Sequence, residues 1–146
     1  MLMMPIALFT AGAAALVNFW LSWRIAQLRT SEKIWVGDGS HPLLTARMRA
    51  HLNFAEYAPV VLILIALIEA TTGSPLWLGI VAALFILGRI LHAFGMDGWS
   101  PGRPAGMALT APIMIGLALY AVAIPFLARA PAATPALTAR QLIPTG

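Results

Sequence analysis

Three stretches of this 146-residue chain carry no charged side chain: residues 1–23, 70–88 and 104–128. Each is near or above the ~18–20 residues that a helix needs to cross the hydrocarbon of a bilayer. A fourth crossing needs more argument, because only twelve uncharged residues separate Glu56 from Glu69. Extended back to Pro42 it becomes long enough, but it then takes in "ARMRAHLNFAEYAP", Ala46 to Pro59. Two arginines, a histidine, an asparagine and a glutamate thus enter a span where ionisable groups cost several kcal/mol and are usually kept for function.

The composition agrees with a membrane protein. The chain is 60% hydrophobic and 10% charged, against about 25% charged in soluble domains, and its mean hydropathy is +0.86. The expected architecture is all-α, a membrane-spanning four-helix bundle with helices over roughly 4–28, 43–71, 75–97 and 104–129. It forms one transmembrane domain over residues 1–130, followed by an Ala/Pro-rich tail over 131–146. The first apolar run lacks the positive start of a signal peptide and continues past its small residues to Trp23, so a retained span is expected. "TTGSP" (Thr71 to Pro75) reads as a tight turn, and "VGDGSHP" and "DGWSPGRP" read as looser connections.

Nine Lys/Arg against five Asp/Glu give a net charge of +4. The basic residues are scattered among apolar helices, with no basic patch or stacking platform, so nucleic acid is not an expected partner. Membrane orientation accounts for them better. Arg24, Arg29, Lys33, Arg47, Arg49, Arg89 and Arg103 cluster at or near the first and third connections, and the second connection has none. The positive-inside rule puts those two connections in the cytoplasm and both termini outside. There is no cysteine, so thiol chemistry here would need a thiol brought by a cosubstrate.

Depth then becomes informative. With the outer boundary near Thr71, the inner boundary of helix 2 falls near Leu52, and Asn53 and Glu56 lie within ~6 Å of it. Arg89 lies about 9 Å inside the same boundary, with His92 nearer the edge. Asn18 and Arg24 fall at similar levels, so costly side chains of three spans gather in one half of the bilayer.

At 100° per residue, Arg49, Asn53 and Glu56 share a stripe of about 60° on helix 2, while Arg47 and His51 form a second stripe well round the helix. Arg89, His92 and Met96 share a face of helix 3. Plainer readings stand beside a functional one. Arg47 and Arg49 can snorkel to phosphates, Glu56 and Arg89 can form a structural ion pair, and His51 and His92 can be interhelical hydrogen-bonders. His41 is expected to be solvated in its loop and Glu69 to lie at the outer interface. His51 and Glu56 have the wrong spacing for a helical metal pair, so no metal is expected. As a cluster, the arginines suit carboxylates, Glu56 suits an ammonium, and Asn53 both donates and accepts.

"RMRAHLNFAEYAP" resembles the helix 2 signature of the MAPEG family (membrane-associated proteins in eicosanoid and glutathione metabolism), with Arg49, Ala50, His51, Asn53, Glu56 and Pro59 in register. "LGRILHAFGM" and "GRPAGMALT" resemble helix 3 and the start of helix 4 of bacterial members. The resemblance implies a homotrimer of four-helix protomers in the bacterial inner membrane, with sites between subunits facing the cytoplasm. It implies glutathione as cosubstrate, held by Arg49, Asn53 and Glu56 with His51, His92 and Arg89 in support and Arg24 as a weaker contributor. Arg103 matches the arginine that catalytic members use to stabilise the thiolate, and a lipophilic electrophile or hydroperoxide would be the second substrate. Met96 stands where several catalytic members carry a tyrosine. Two classes of function therefore stand at this point: a glutathione transferase or peroxidase, and a non-catalytic membrane protein binding an anionic metabolite or lipid headgroup.

Overall fold

In the computed structural model the described residues are 3–127; the expected tail over 131–146 lies outside them. Four helices carry the chain back and forth: α1 Pro5–Glu32, α2 Pro42–Thr72, α3 Leu76–Met96 and α4 Gly102–Leu127. All four are long and apolar enough to cross a membrane. Large apolar side chains such as Leu8, Phe9 and Phe19 on α1 and Leu119 and Phe126 on α4 point outward. Helices apolar all round are at home in lipid rather than water.

Local chemistry sets the limits. Pro42 opens α2, where its missing N–H is not needed. His41 is not the solvated loop residue expected: it is the N-cap, its Nδ1 accepting from the Leu44 N–H at 3.3 Å. α1 runs to Glu32 rather than 28 because nothing before Lys33 breaks it. Lys33 turns left-handed (φ 57°) and donates its N–H to the Arg29 carbonyl. In the connection that follows, the Asp38 carboxylate accepts from the Ser40 N–H (3.1 Å) and the Thr45 hydroxyl (2.9 Å). The Ser40 backbone bond, then the Thr45 bond, hold the Asp38 carboxyl below the usual carboxylate range.

The helices pack unequally. α3 and α4 lie closest, then α1 and α2; α2 touches both α3 and α4, and α1 also touches α3. The seam of α3 and α4 depends on glycine: a Cβ on Gly106 would come within 2.6 Å of the Gly88 carbonyl oxygen and of the His92 Cβ. Phe54, Val61 and Ile65 of α2 and Leu78, Ala82 and Phe85 of α3 form the centre of the apolar core.

At the end of the bundle carrying the α2–α3 turn, Glu69 lies in the last turn of α2 and is 2% exposed. Its carboxylate accepts from the Ile6 N–H (3.0 Å), the Ala7 N–H (2.7 Å) and the Ser74 hydroxyl (2.6 Å). The first turn of a helix leaves such N–H groups unpaired and carries partial positive charge, so a carboxylate there satisfies both. One side chain from α2 thereby fastens the start of α1.

Candidate functional site

The polar groups collect at the opposite end, which carries the α1–α2 and α3–α4 connections. Arg89 lies at the centre of one group. It is 1% exposed; one Nη donates to the Asn53 Oδ1 of α2 and the other to the Thr110 Oγ1 of α4 at 3.4 Å. Thr110 in turn donates to the Gly106 carbonyl at 2.9 Å. The Tyr57 ring centroid lies 5.5 Å from the Arg89 Cζ, in cation–π range. A single arginine thus joins three helices. Among the described residues no carboxylate pairs with it, because the ion pairs formed are those to Asp97. The alternative of a Glu56–Arg89 pair is therefore corrected.

Helix geometry gives the reason. Relative to Asn53, Tyr57 lies about 40° round one way, toward Arg89, and Arg49 and Glu56 lie roughly 40° and 60° round the other. Asn53 is half-buried at the edge of the stripe, while Arg49 and Glu56 are exposed on the outer face. Their side chains, some 20° apart in projection, point outward together.

A second group ties α1 to the rest. Arg24, buried against the Trp20 ring at 4.6 Å, forms an ion pair with Asp97, the residue that caps α3. Arg47 does not snorkel. Its Nε and Nη2 donate to Asp97 at 3.2 and 3.4 Å, and its Nη1 donates to the Arg24 carbonyl at 3.1 Å. His51 meets the Asn18 Oδ1 at 2.9 Å through Nε2. Arg24 and His51 therefore face the α1 side of α2, away from the Arg49–Glu56 face.

The structure brings Asn53 and Arg89 together. It holds His92 buried one turn further along α3, with Nδ1 unpartnered among the described residues, and leaves Arg49, Glu56 and Arg103 exposed. Arg103 starts α4 directly against the last turn of α3, where a Cβ on Gly95 would lie 2.6 Å from the Gly102 carbonyl carbon. Asp97 is the residue at this end that the sequence pattern does not single out, since it stands at the start of the "DGWSPGRP" connection. Its signal was arithmetic: five acids must serve nine bases, and two arginines at one membrane level need a carboxylate. Among the described residues no three His, Asp or Glu side chains gather as metal ligands do.

Open grooves of the single chain lie between α1 and α2 and also, lined by apolar side chains, between α3 and α4 and between α1 and α3; Arg89 lines none of these. One of about 310 Å³ is lined by Ala11, Ala14, Ala15, Asn18, Ala55 and Pro59 among others. Another of about 350 Å³ runs past Arg29, Met48 and His51. The Arg49–Glu56 face carries a cation and a carboxylate exposed among the described residues, with the half-buried Asn53 amide at its edge, all on one helix.

Known proteins give the same direction as these residues. The sequence model of the MAPEG family matches residues 7–123. The inner membrane protein YecN of Escherichia coli strain K12 is 29% identical over 105 residues, covering 68% of this chain and 77% of YecN. YecN of E. coli O6:H1 strain CFT073 matches to the same extent.

Proposed function

Because this chain belongs to the MAPEG family, we propose that it is a membrane-bound, glutathione-dependent transferase or peroxidase acting on lipophilic electrophiles. The observation that carries the reading is the outward-facing pair Arg49 and Glu56, with Asn53 at the edge of their stripe, on a membrane-spanning helix. Charged groups facing hydrocarbon are too costly to stand bare. A second copy of the chain lying over this face, with glutathione between the two, would cover them; we take the assembly to be a homotrimer.

In that assembly Arg49 would hold a carboxylate of the tripeptide and Glu56 its ammonium. The Arg103 guanidinium, at the start of α4, would lie near the sulfur and favour the thiolate over the thiol. The thiol proton passes to water. The thiolate then attacks an electrophilic aryl carbon and expels halide. With a hydroperoxide it attacks the distal oxygen, giving an alcohol and a sulfenic acid that a second glutathione converts to disulfide and water. The absence of cysteine in the chain suits a borrowed thiol. Basic residues at the Arg103 end support a cytoplasmic site, in keeping with the inner-membrane description of YecN.

Purified protein in detergent with glutathione and a reactive aryl halide tests the reading. Halide release above the uncatalysed rate is expected, or alcohol formation from a lipid hydroperoxide; neither appearing would refute it. Arg103→Ala is expected to lower turnover at least tenfold with little loss of glutathione affinity, since the charge acts on the sulfur rather than on the carboxylates. A second reading, binding of an anionic metabolite without catalysis, is favoured by one observation. Met96 is half-buried at the end of α3 where catalytic members carry a phenol. Glutathione that binds without a rise in thiolate absorbance would select it.

A further inference from the structure

We infer that Arg89 is a positioning residue. It fixes the Asn53 carboxamide with its carbonyl inward and its N–H groups outward, so that this point of the face receives a carboxylate of the ligand. The inference rests on the glutathione reading and departs from it in keeping Arg89 off the ligand.

A guanidinium only donates, so the Asn53 atom facing Arg89 is necessarily the oxygen; the usual ambiguity between amide O and N is removed. Arg89 itself is 1% exposed and spends its Nη groups on Asn53 and Thr110. The Thr110 hydroxyl proton goes to the Gly106 carbonyl, leaving its oxygen free to accept from Arg89. Its Nε is enclosed without a partner among the described residues, and at 1% exposure the cation has no route to a ligand at the outer face. The Asn53 Nδ2 bonds to nothing among the described residues, and it is not among the enclosed polar atoms without partners. It therefore keeps exposed surface, on the side of the carboxamide turned away from Arg89.

The charge matters as well as the direction. No carboxylate neutralises Arg89 among the described residues, so its field acts through the carboxamide. A hydrogen bond from a cation polarises the amide and strengthens its outward N–H donors. An ammonium or another donor meeting those N–H groups would be repelled; an anionic oxygen is drawn in. Arg49 supplies the neighbouring donors.

The test measures the affinities of glutathione and its diethyl ester, by calorimetry in detergent, for the wild type and for Arg89→Leu, Arg89→Lys and Asn53→Asp. The wild type is expected to prefer the acid at least tenfold. In Arg89→Leu the carboxamide is free to rotate, and the preference falls threefold or more with KM raised and kcat held. Arg89→Lys keeps a charged donor to Asn53 and restores most of the preference. Asn53→Asp pairs with Arg89, so its unfolding midpoint stays at or above wild type, yet it presents only acceptors and loses the acid tenfold or more. Should Arg89→Leu fail to fold, Asn53→Asp decides: a retained preference for the acid overturns the inference. An equal affinity of the wild type for acid and ester, or an unchanged preference in Arg89→Leu, overturns it too. A wild type that binds no glutathione at all removes the proposed function and this inference with it. Binding with unchanged preference in the variants removes the inference alone.

Discussion

Glu69 offers the sharpest test of how this bundle is held. Glu69→Ala removes acceptors from the Ile6 and Ala7 N–H groups and from the Ser74 hydroxyl. A hydrogen bond to an ionised group contributes about 1.5–3 kcal/mol, and stranding a buried donor costs a similar amount. The helix-terminus charge interaction adds up to ~2 kcal/mol in partly buried geometry. These terms overlap, since the same N–H groups produce both, and together they put the loss at about 4 kcal/mol. Glu69→Gln keeps the shape and one carbonyl oxygen but turns an NH₂ toward a donor, so about 2 kcal/mol is expected. Glu32→Gln, exposed at the far end of α1, is the control and should lie within ~0.5 kcal/mol of wild type. The assay is unfolding in mixed micelles titrated with denaturing detergent, followed by circular dichroism. If Glu69→Ala unfolds within ~0.5 kcal/mol of wild type, the carboxylate does not fasten α1, and the account of that end is wrong.

Three other perturbations follow from the geometry. Asp97→Asn leaves the Arg24 and Arg47 guanidiniums without their anion and is expected to destabilise by about 3 kcal/mol in the same titration. Gly106→Ala forces α3 and α4 apart, because the new Cβ would lie 2.6 Å from the Gly88 oxygen; a loss of about 1–3 kcal/mol is expected. Gly116→Ala, with open space around it, should instead be neutral or gain up to ~1 kcal/mol from helix propensity. The Asp38 carboxyl is held below its ordinary value by Ser40 and Thr45. Its contribution to ordering the α1–α2 connection is therefore complete above the unfolded value of about 3.9 and is lost as pH falls through the lower folded value. A carbon-detected NMR titration of Asp38 checks this, and a midpoint at or above the ordinary value would contradict it.

The spans were legible because a bilayer imposes a length and an apolarity that the sequence displays directly, and the four helices fall where the charge-free runs and the Pro42 extension put them. The stripe on α2 was legible too, since 100° per residue fixes which side chains share a face. What periodicity could not supply was partnership. Glu69 reads as interfacial from its own helix, and that helix says nothing about its partners at the start of α1, more than sixty positions away in the chain. Arg47 was expected to reach for phosphates, which its position near a helix end permits; only the placement of Asp97 shows where its charge goes. His41 was taken for a loop residue although its place just before Pro42 suits an N-cap. Each of these depends on a contact between elements, and one helix's pattern is silent on such contacts.

The clamp around Asp97 has a bearing on the order of events at the ribosome. The chain is made from the amino terminus, so Arg24 and Arg47 enter the bilayer long before Asp97 exists. Until then both guanidiniums have no acid to neutralise them from α3. The two ion pairs that tie α1 and α2 to the end of α3 therefore close only once the third span has been made.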